Sequence, residues 1–174
     1  MKKIEIIGKH HVDKITKANN PGKTIVAIRD CMQSIPENLF ETNMQLPLIN
    51  KMYLDSVQNF SYKKELLREI DKKIASYKTQ DKNKNKYKDN NITQEQTIEK
   101  LVASKLKCYY CKCKMLIFYN KVRDMEQWTL DRIDNDLDHS CENVIVCCLR
   151  CNLQRRCQNK DKFLFTKQLK IVKK

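Results

Sequence analysis

The sequence predicts an α+β protein: a mostly helical N-terminal region, a smaller cysteine-clamped unit of two strands and a helix, and a terminal helix. Three observations carry this. Two Cys-x-x-Cys pairs, Cys108 with Cys111 and Cys148 with Cys151, bracket a segment that alternates like short strands. Apolar residues recur every three or four positions over 59–79 and again over 93–106. Glycine and proline are scarce, two and three in 174 residues, which argues against a glycine-rich phosphate loop or a sandwich full of tight turns.

Residues 1–58 carry the weakest pattern. Residues 3–7 suit a short strand, 24–32 (TIVAIRDCM) suit a strand or a helix, and the stretch around Pro36 and Pro47 suits a loop leading into a helix. Over 59–79, Phe60, Leu66, Leu67, Ile70, Ile74 and Tyr77 form an apolar stripe with charges opposite, and Ser61 is the expected N-cap. Residues 80–91 (QDKNKNKYKDNN) are polar, basic and of low complexity, the composition of a flexible linker.

A second helix is predicted over 93–106. Thr93 and Gln96 stand at capping-box spacing, and Ile98, Leu101, Val102 and Leu106 make the apolar stripe. Beyond it, 128–133 and 143–147 read as strands around a polar loop, 149–157 as a helix and 161–172 as a terminal helix. The expected organisation is therefore an N-terminal region over 1–79, a linker over 80–92 and a cysteine-bearing domain over 93–174.

Charge narrows the partner. The chain carries +14 at neutral pH, with 19 basic and 13 acidic residues in 1–100 and 16 against 8 in 101–174. Such a balance suits a polyanion, because neutralising phosphates releases their counterions. No apolar stretch follows the opening MKKIEIIGKHH and no run is long enough to span a membrane, so neither a secretory signal nor a membrane anchor is expected. Nine cysteines, an odd number with all but Cys31 at or after position 108, fit thiolate-bound metal in an intracellular, reducing compartment better than a disulfide scaffold.

The chemistry lies in the last third. A two-residue gap lets both sulfurs of a Cys-x-x-Cys reach one tetrahedral ion, so Cys108, Cys111, Cys148 and Cys151 are the expected ligands of a structural Zn²⁺. Cys141, Cys147 and Cys157 read as small buried or half-buried side chains, and Cys31 as core. Trp128 reads as a core anchor, Tyr109 and Tyr110 as packing for the knuckle, and His10 and His11 as surface. A strand, loop, strand and helix on such a clamp would bring Asp131 opposite Asn152. A carboxylate and an amide oxygen suit Mg²⁺ or Mn²⁺, with room left for water and a phosphate oxygen. Arg150, Arg155 and Arg156 would line the same helix as phosphate donors.

In this segment the chain resembles the HNH endonucleases, ββα-metal nucleases, in the subgroup built on a zinc knuckle. The resemblance rests on the paired Cys-x-x-Cys, LDRIDN at 130–135, ENVIVCC at 142–148 and CLRCN at 148–152, and covers about 108–162. It implies that Asp131 and Asn152 hold the catalytic ion and that Asn143 braces the loop. At the position where the family carries its general-base histidine this chain has Arg132, which stays protonated and cannot take a proton from water. His139 and Asp134 are the substitutes at hand. The Asp-Arg-Ile-Asp variant is familiar in proteins of phages and large DNA viruses, which would put the protein in a host cell or virion. The resemblance thus implies a metal-dependent endonuclease acting on DNA, with Asp131, Arg132, His139, Asn143 and Asn152 at its centre. The alternative is a nucleic-acid-binding protein, or viral nucleoprotein component, on a catalytically weak or silent HNH fold.

Overall fold

A computed structural model describes residues 27–54 and 59–169. Five helices and two strands occur there: α1 (Thr42–Leu54), α2 (Lys63–Asn83), α3 (Gln94–Ala103), β1 (Trp128–Arg132), β2 (Val144–Cys148), α4 (Leu149–Arg155) and α5 (Lys160–Gln168). Single 3₁₀ turns at Asp30–Met32 and Glu37–Phe40 precede α1. The mixture of helices with one small antiparallel sheet is α+β. The expected strand at 3–7, His10 and His11 lie outside the described residues, as do parts of 24–32 and of 161–172.

The two strands pair antiparallel, Trp128 opposite Cys148, Leu130 opposite Val146 and Arg132 opposite Val144. β2 runs directly into α4, so the second cysteine pair sits across the strand-to-helix junction. Thr93 and Gln96 form the expected capping box at the start of α3, each side chain satisfying a backbone N–H of the other's residue. The start of α2 differs from expectation. Tyr62, in left-handed conformation at φ 67°, stands at its N-cap without a side-chain bond, and Ser61 does not cap. Pro47 lies within α1 and not in the loop before it. Gln45 on that helix is fully buried: its amide N donates to the carbonyls of Leu39 (2.7 Å) and Phe118 (2.9 Å), while its oxygen accepts from Ile117 (2.6 Å) and Phe118 (3.1 Å). Every valence of that amide is met, which is what keeps a buried glutamine tolerable.

One apolar cluster holds both halves. Ile49, Leu66 and Ile70 of the helical region share it with Leu101, Leu106, Met115, Phe118 and Trp128. Trp128 is the core anchor the sequence suggests, with no exposed surface. The segment expected to be a linker is partly built in: α2 continues to Asn83, Asp81 is fully buried, Asn91 bridges Ser140, and Ile92 is buried.

α2 also departs from a simple two-faced helix. Glu69, Lys73, Tyr77 and Asp81 recur every fourth residue, and each meets a distant part of the chain. Glu69 pairs with Arg29 (2.7 Å), and Lys73 donates to Gln127 (2.9 Å) and to the carbonyl of Trp128. The Tyr77 hydroxyl accepts the Leu130 N–H (3.0 Å), and Asp81 reaches His139 (2.8 Å). Burial pushes the Lys73 amine down to about 7. Three of these four are charged residues on the inward face, where the sequence pattern put only apolar ones.

Candidate metal centre and the cleft beside it

The knuckle starts just after α3. The Cys108 N–H bonds the Cys113 carbonyl (2.9 Å) and the Lys112 N–H bonds the Cys108 carbonyl (3.0 Å), closing a tight turn. The Tyr109 N–H bonds the Val146 carbonyl (3.0 Å), which ties that turn to β2. The Sγ atoms of Cys108, Cys111, Cys148 and Cys151 consequently converge, all within 4.8 Å of one another, with Cys111 and Cys148 3.8 Å apart. A tetrahedral ion with metal–sulfur bonds of about 2.3 Å needs sulfurs about 3.8 Å apart. Four soft thiolates at that spacing could hold one metal ion, and the donor set suits zinc. Of the other thiols, Cys147 is buried and Cys141 half-buried, as expected, but Cys31 and Cys157 are exposed. Cys31 lies in the 3₁₀ turn at Asp30–Met32 and Cys157 in the turn after α4, and neither contributes to the core.

Asp131, near the end of β1, is 4 % exposed and carries three donors. Its Oδ2 accepts from the Tyr110 hydroxyl (2.6 Å) and Arg155 Nε (2.6 Å), and its Oδ1 accepts from Arg155 Nη2 (2.8 Å). Burial works against the Arg155 charge, but its bonds to Asp131 raise its pKa above the usual arginine value. Burial and the Asp131 charge together push the Tyr110 phenol well up, so it stays a donor. Tyr110 packs its edge on Phe163 of α5 (4.9 Å), fastening the terminal helix over this pair.

Arg155 therefore departs from the sequence reading. It is 1 % exposed and turned inward, because a carboxylate on a buried strand needs a counter-charge there, and it is not offered to phosphate. Arg150 and Arg156 are exposed.

Asn152, three residues earlier on α4, donates its amide N to Thr129 Oγ1 (3.1 Å) and to the Leu130 carbonyl (3.3 Å), which leaves its amide oxygen without a partner among the described residues. Asn143 supports the loop between the strands. Its oxygen accepts the Asp134 N–H (2.9 Å), and its nitrogen donates to the carbonyls of Asp134 (2.9 Å) and Asp138 (2.8 Å). Asp134 is turned back on its own loop, where Oδ1 accepts the Asp136 N–H (2.8 Å).

Arg132 donates Nη1 to the Leu137 carbonyl (2.9 Å) and lies 3.7 Å from Asp81 Oδ1. His139 sits at the far side of the loop. Its ring nitrogen Nδ1 is 2.8 and 2.9 Å from the two oxygens of Asp81, and its backbone N–H bonds Asp81 Oδ2 (2.8 Å). The ring stacks on Tyr77 with centroids 4.6 Å apart. Nε2 has no hydrogen-bond partner among the described residues, and His139 as a whole is 4 % exposed. Burial lowers the His139 pKa, while Asp81 pulls it up and Arg132 and Lys84 push it down; the outcome is below the usual histidine value. Burial tends to raise Asp81, but the bonds from His139 outweigh it and hold the carboxyl low.

A cleft of about 390 Å³ brings these groups together: Asp131, Arg132, His139, Asn152 and Arg156 line it, with Tyr77 and Lys84 from the α2 side. Asn143 lies behind the loop and Asp134 outside the cleft. A larger hollow of about 780 Å³ adjoins it, sharing Tyr77, Gln80 and Asn152 as common wall. Sequence reasoning missed Tyr77 and Asp81 as neighbours of the site. Their four-residue spacing was the available signal, masked by the lysine- and asparagine-rich composition around Asp81.

No described helix is long and apolar enough to cross a membrane. No family model, curated protein or solved structure matches this chain.

Proposed function

We propose that the protein is an endonuclease of the HNH type, hydrolysing phosphodiester bonds of DNA in the cleft beside the cysteine cluster. The observation that carries this reading is the convergence of Asp131, Arg132, His139 and Asn152 on one cleft. His139 takes the part of general base that Arg132 cannot fill. Its depressed pKa keeps the imidazole neutral near pH 7, so Nε2 can accept a proton from water. The water oxygen bonds to phosphorus, the bond from phosphorus to one ester oxygen breaks, and that oxygen is protonated from solvent. Arg132 and Arg156, at the cleft wall, supply donors for the non-bridging oxygens.

The fit to a divalent cation is narrow. Three donors occupy the Asp131 carboxylate, leaving one lone pair on Oδ1, and the Asn152 amide oxygen is the second open donor. Mg²⁺ or Mn²⁺ held by these two oxygens would neutralise charge on the phosphoryl group. The Arg155 guanidinium on the same carboxylate opposes that ion. This closed pair favours the second reading, a nucleic-acid-binding protein on a silent nuclease fold.

Nicking of supercoiled plasmid with Mg²⁺ or Mn²⁺, comparing wild type with His139→Ala, separates the two. Loss of a general base lowers the rate on the order of 10²–10⁴-fold. Equal rates, or salt-sensitive binding with no nicking by wild type, would remove the enzyme from the account.

A further inference from the structure

We propose that Asp81 is the positioning residue for His139, fixing the tautomer in which Nδ1 carries the proton and Nε2 presents a bare lone pair to the cleft. This rests on the proposed function for its catalytic consequence, but the tautomer and orientation are properties of the folded chain alone.

The geometry leaves the imidazole little choice. A carboxylate only accepts hydrogen bonds, and both Asp81 oxygens lie within 2.9 Å of Nδ1, so Nδ1 must donate. Asp81 is itself held. Its Oδ2 accepts the His139 backbone N–H (2.8 Å) and the Asn91 amide N (2.8 Å), and it has no exposed surface. The Ile92 N–H bonds the His139 carbonyl (2.8 Å), and Tyr77, anchored by the Leu130 N–H (3.0 Å), stacks on the ring. Backbone, ring plane and ring nitrogen are thus each fixed by a separate contact.

The charged groups that bear on the imidazole are Asp81, Arg132 and Lys84. Asp81 is the anion bonded directly to the ring, so it stabilises the imidazolium that forms when Nε2 takes a proton, while Asp131 and Asp136 lie elsewhere in the same cleft wall. The helical region therefore supplies part of the site.

The test uses the full-length, metal-loaded chain labelled with ¹⁵N in its histidines. There are three, His10, His11 and His139, so the buried ring is readily assigned by substitution of the other two. In wild type near neutral pH, Nδ1 is expected protonated and Nε2 bare; the opposite tautomer would overturn the proposal without any variant. In Asp81→Asn, the amide can donate to Nδ1 and the proton moves to Nε2, with kcat falling on the order of 10²–10⁴-fold and KM little changed. An unchanged tautomer and unchanged kcat in a folded Asp81→Asn would sink it. A tautomer switch in a protein that cleaves nothing would support the positioning role and remove the nuclease instead.

Discussion

Asp131 and Arg155 form a charge pair out of reach of water, closed by the Tyr110 hydroxyl. A pair of this kind stabilises little against an apolar substitute, but deleting one partner strands the other. Asp131→Ala should therefore cost about 3–5 kcal/mol in urea unfolding. A loss below about 1 kcal/mol would mean that Arg155 escapes to solvent. An Asp131 variant is for this reason a poor test of catalysis, since it reports folding first. His139 and Asp81 set a pH dependence in the same region. The folded His139 pKa lies below the unfolded value of about 6.5, so the unfolded chain takes up its proton first as pH falls. Its stabilisation is full above that value and is lost as pH drops through the folded one. Asp81, also held low when folded, adds stability above about 3.9 that is lost as pH falls through its own folded value. Urea midpoints should decline from pH 7 to pH 5, and His139→Gln should flatten that decline. A midpoint independent of pH across this interval would contradict the burial of the ring.

At the scale of elements, a metal ion in the cysteine cluster would do what helix propensity cannot. α4 has seven residues, too short to persist alone in water, and Cys148 and Cys151 bracket its first turn. The same cluster ties β2 and α4 to the turn after α3, so Asn152 keeps its place beside β1. Binding of a structural zinc is worth on the order of 10–16 kcal/mol, comparable to a whole domain's stability. Removing metal with a chelator should abolish the near-ultraviolet signal of Trp128 and Tyr110 and leave much of the α1 and α2 helicity in the far ultraviolet. Retention of both signals without metal would show that the thiols carry no ion that matters. The clamp and the strand–loop–strand–helix order were legible because each rests on local spacing: two-residue gaps, alternation, a capping box. α2 was legible as a helix but not in its role. Glu69, Lys73 and Asp81 look like solvated charges until a partner more than fifty residues on, or Arg29 forty before, meets them.

For the molecule as a whole, the division into helical region, linker and cysteine domain describes the sequence better than the fold. A single apolar cluster crosses all three, and the cleft takes one wall from α2 and another from β1, its loop and α4. Composition hid this, because 80–91 has the lysine and asparagine content of an unstructured segment while Asp81 and Ile92 at its margins are buried. The charge of +14 gives such a cleft an attractive long-range field for a polyanion, and it screens with salt. The proposed function turns on the imidazole of His139 in that cleft. The most direct measurement is cleavage of a dye-labelled DNA by metal-loaded His139→Ala under single-turnover conditions, without and with added imidazole. The account predicts a rate depressed on the order of 10²–10⁴-fold that rises with imidazole concentration; a variant as fast as wild type, and indifferent to imidazole, would contradict it.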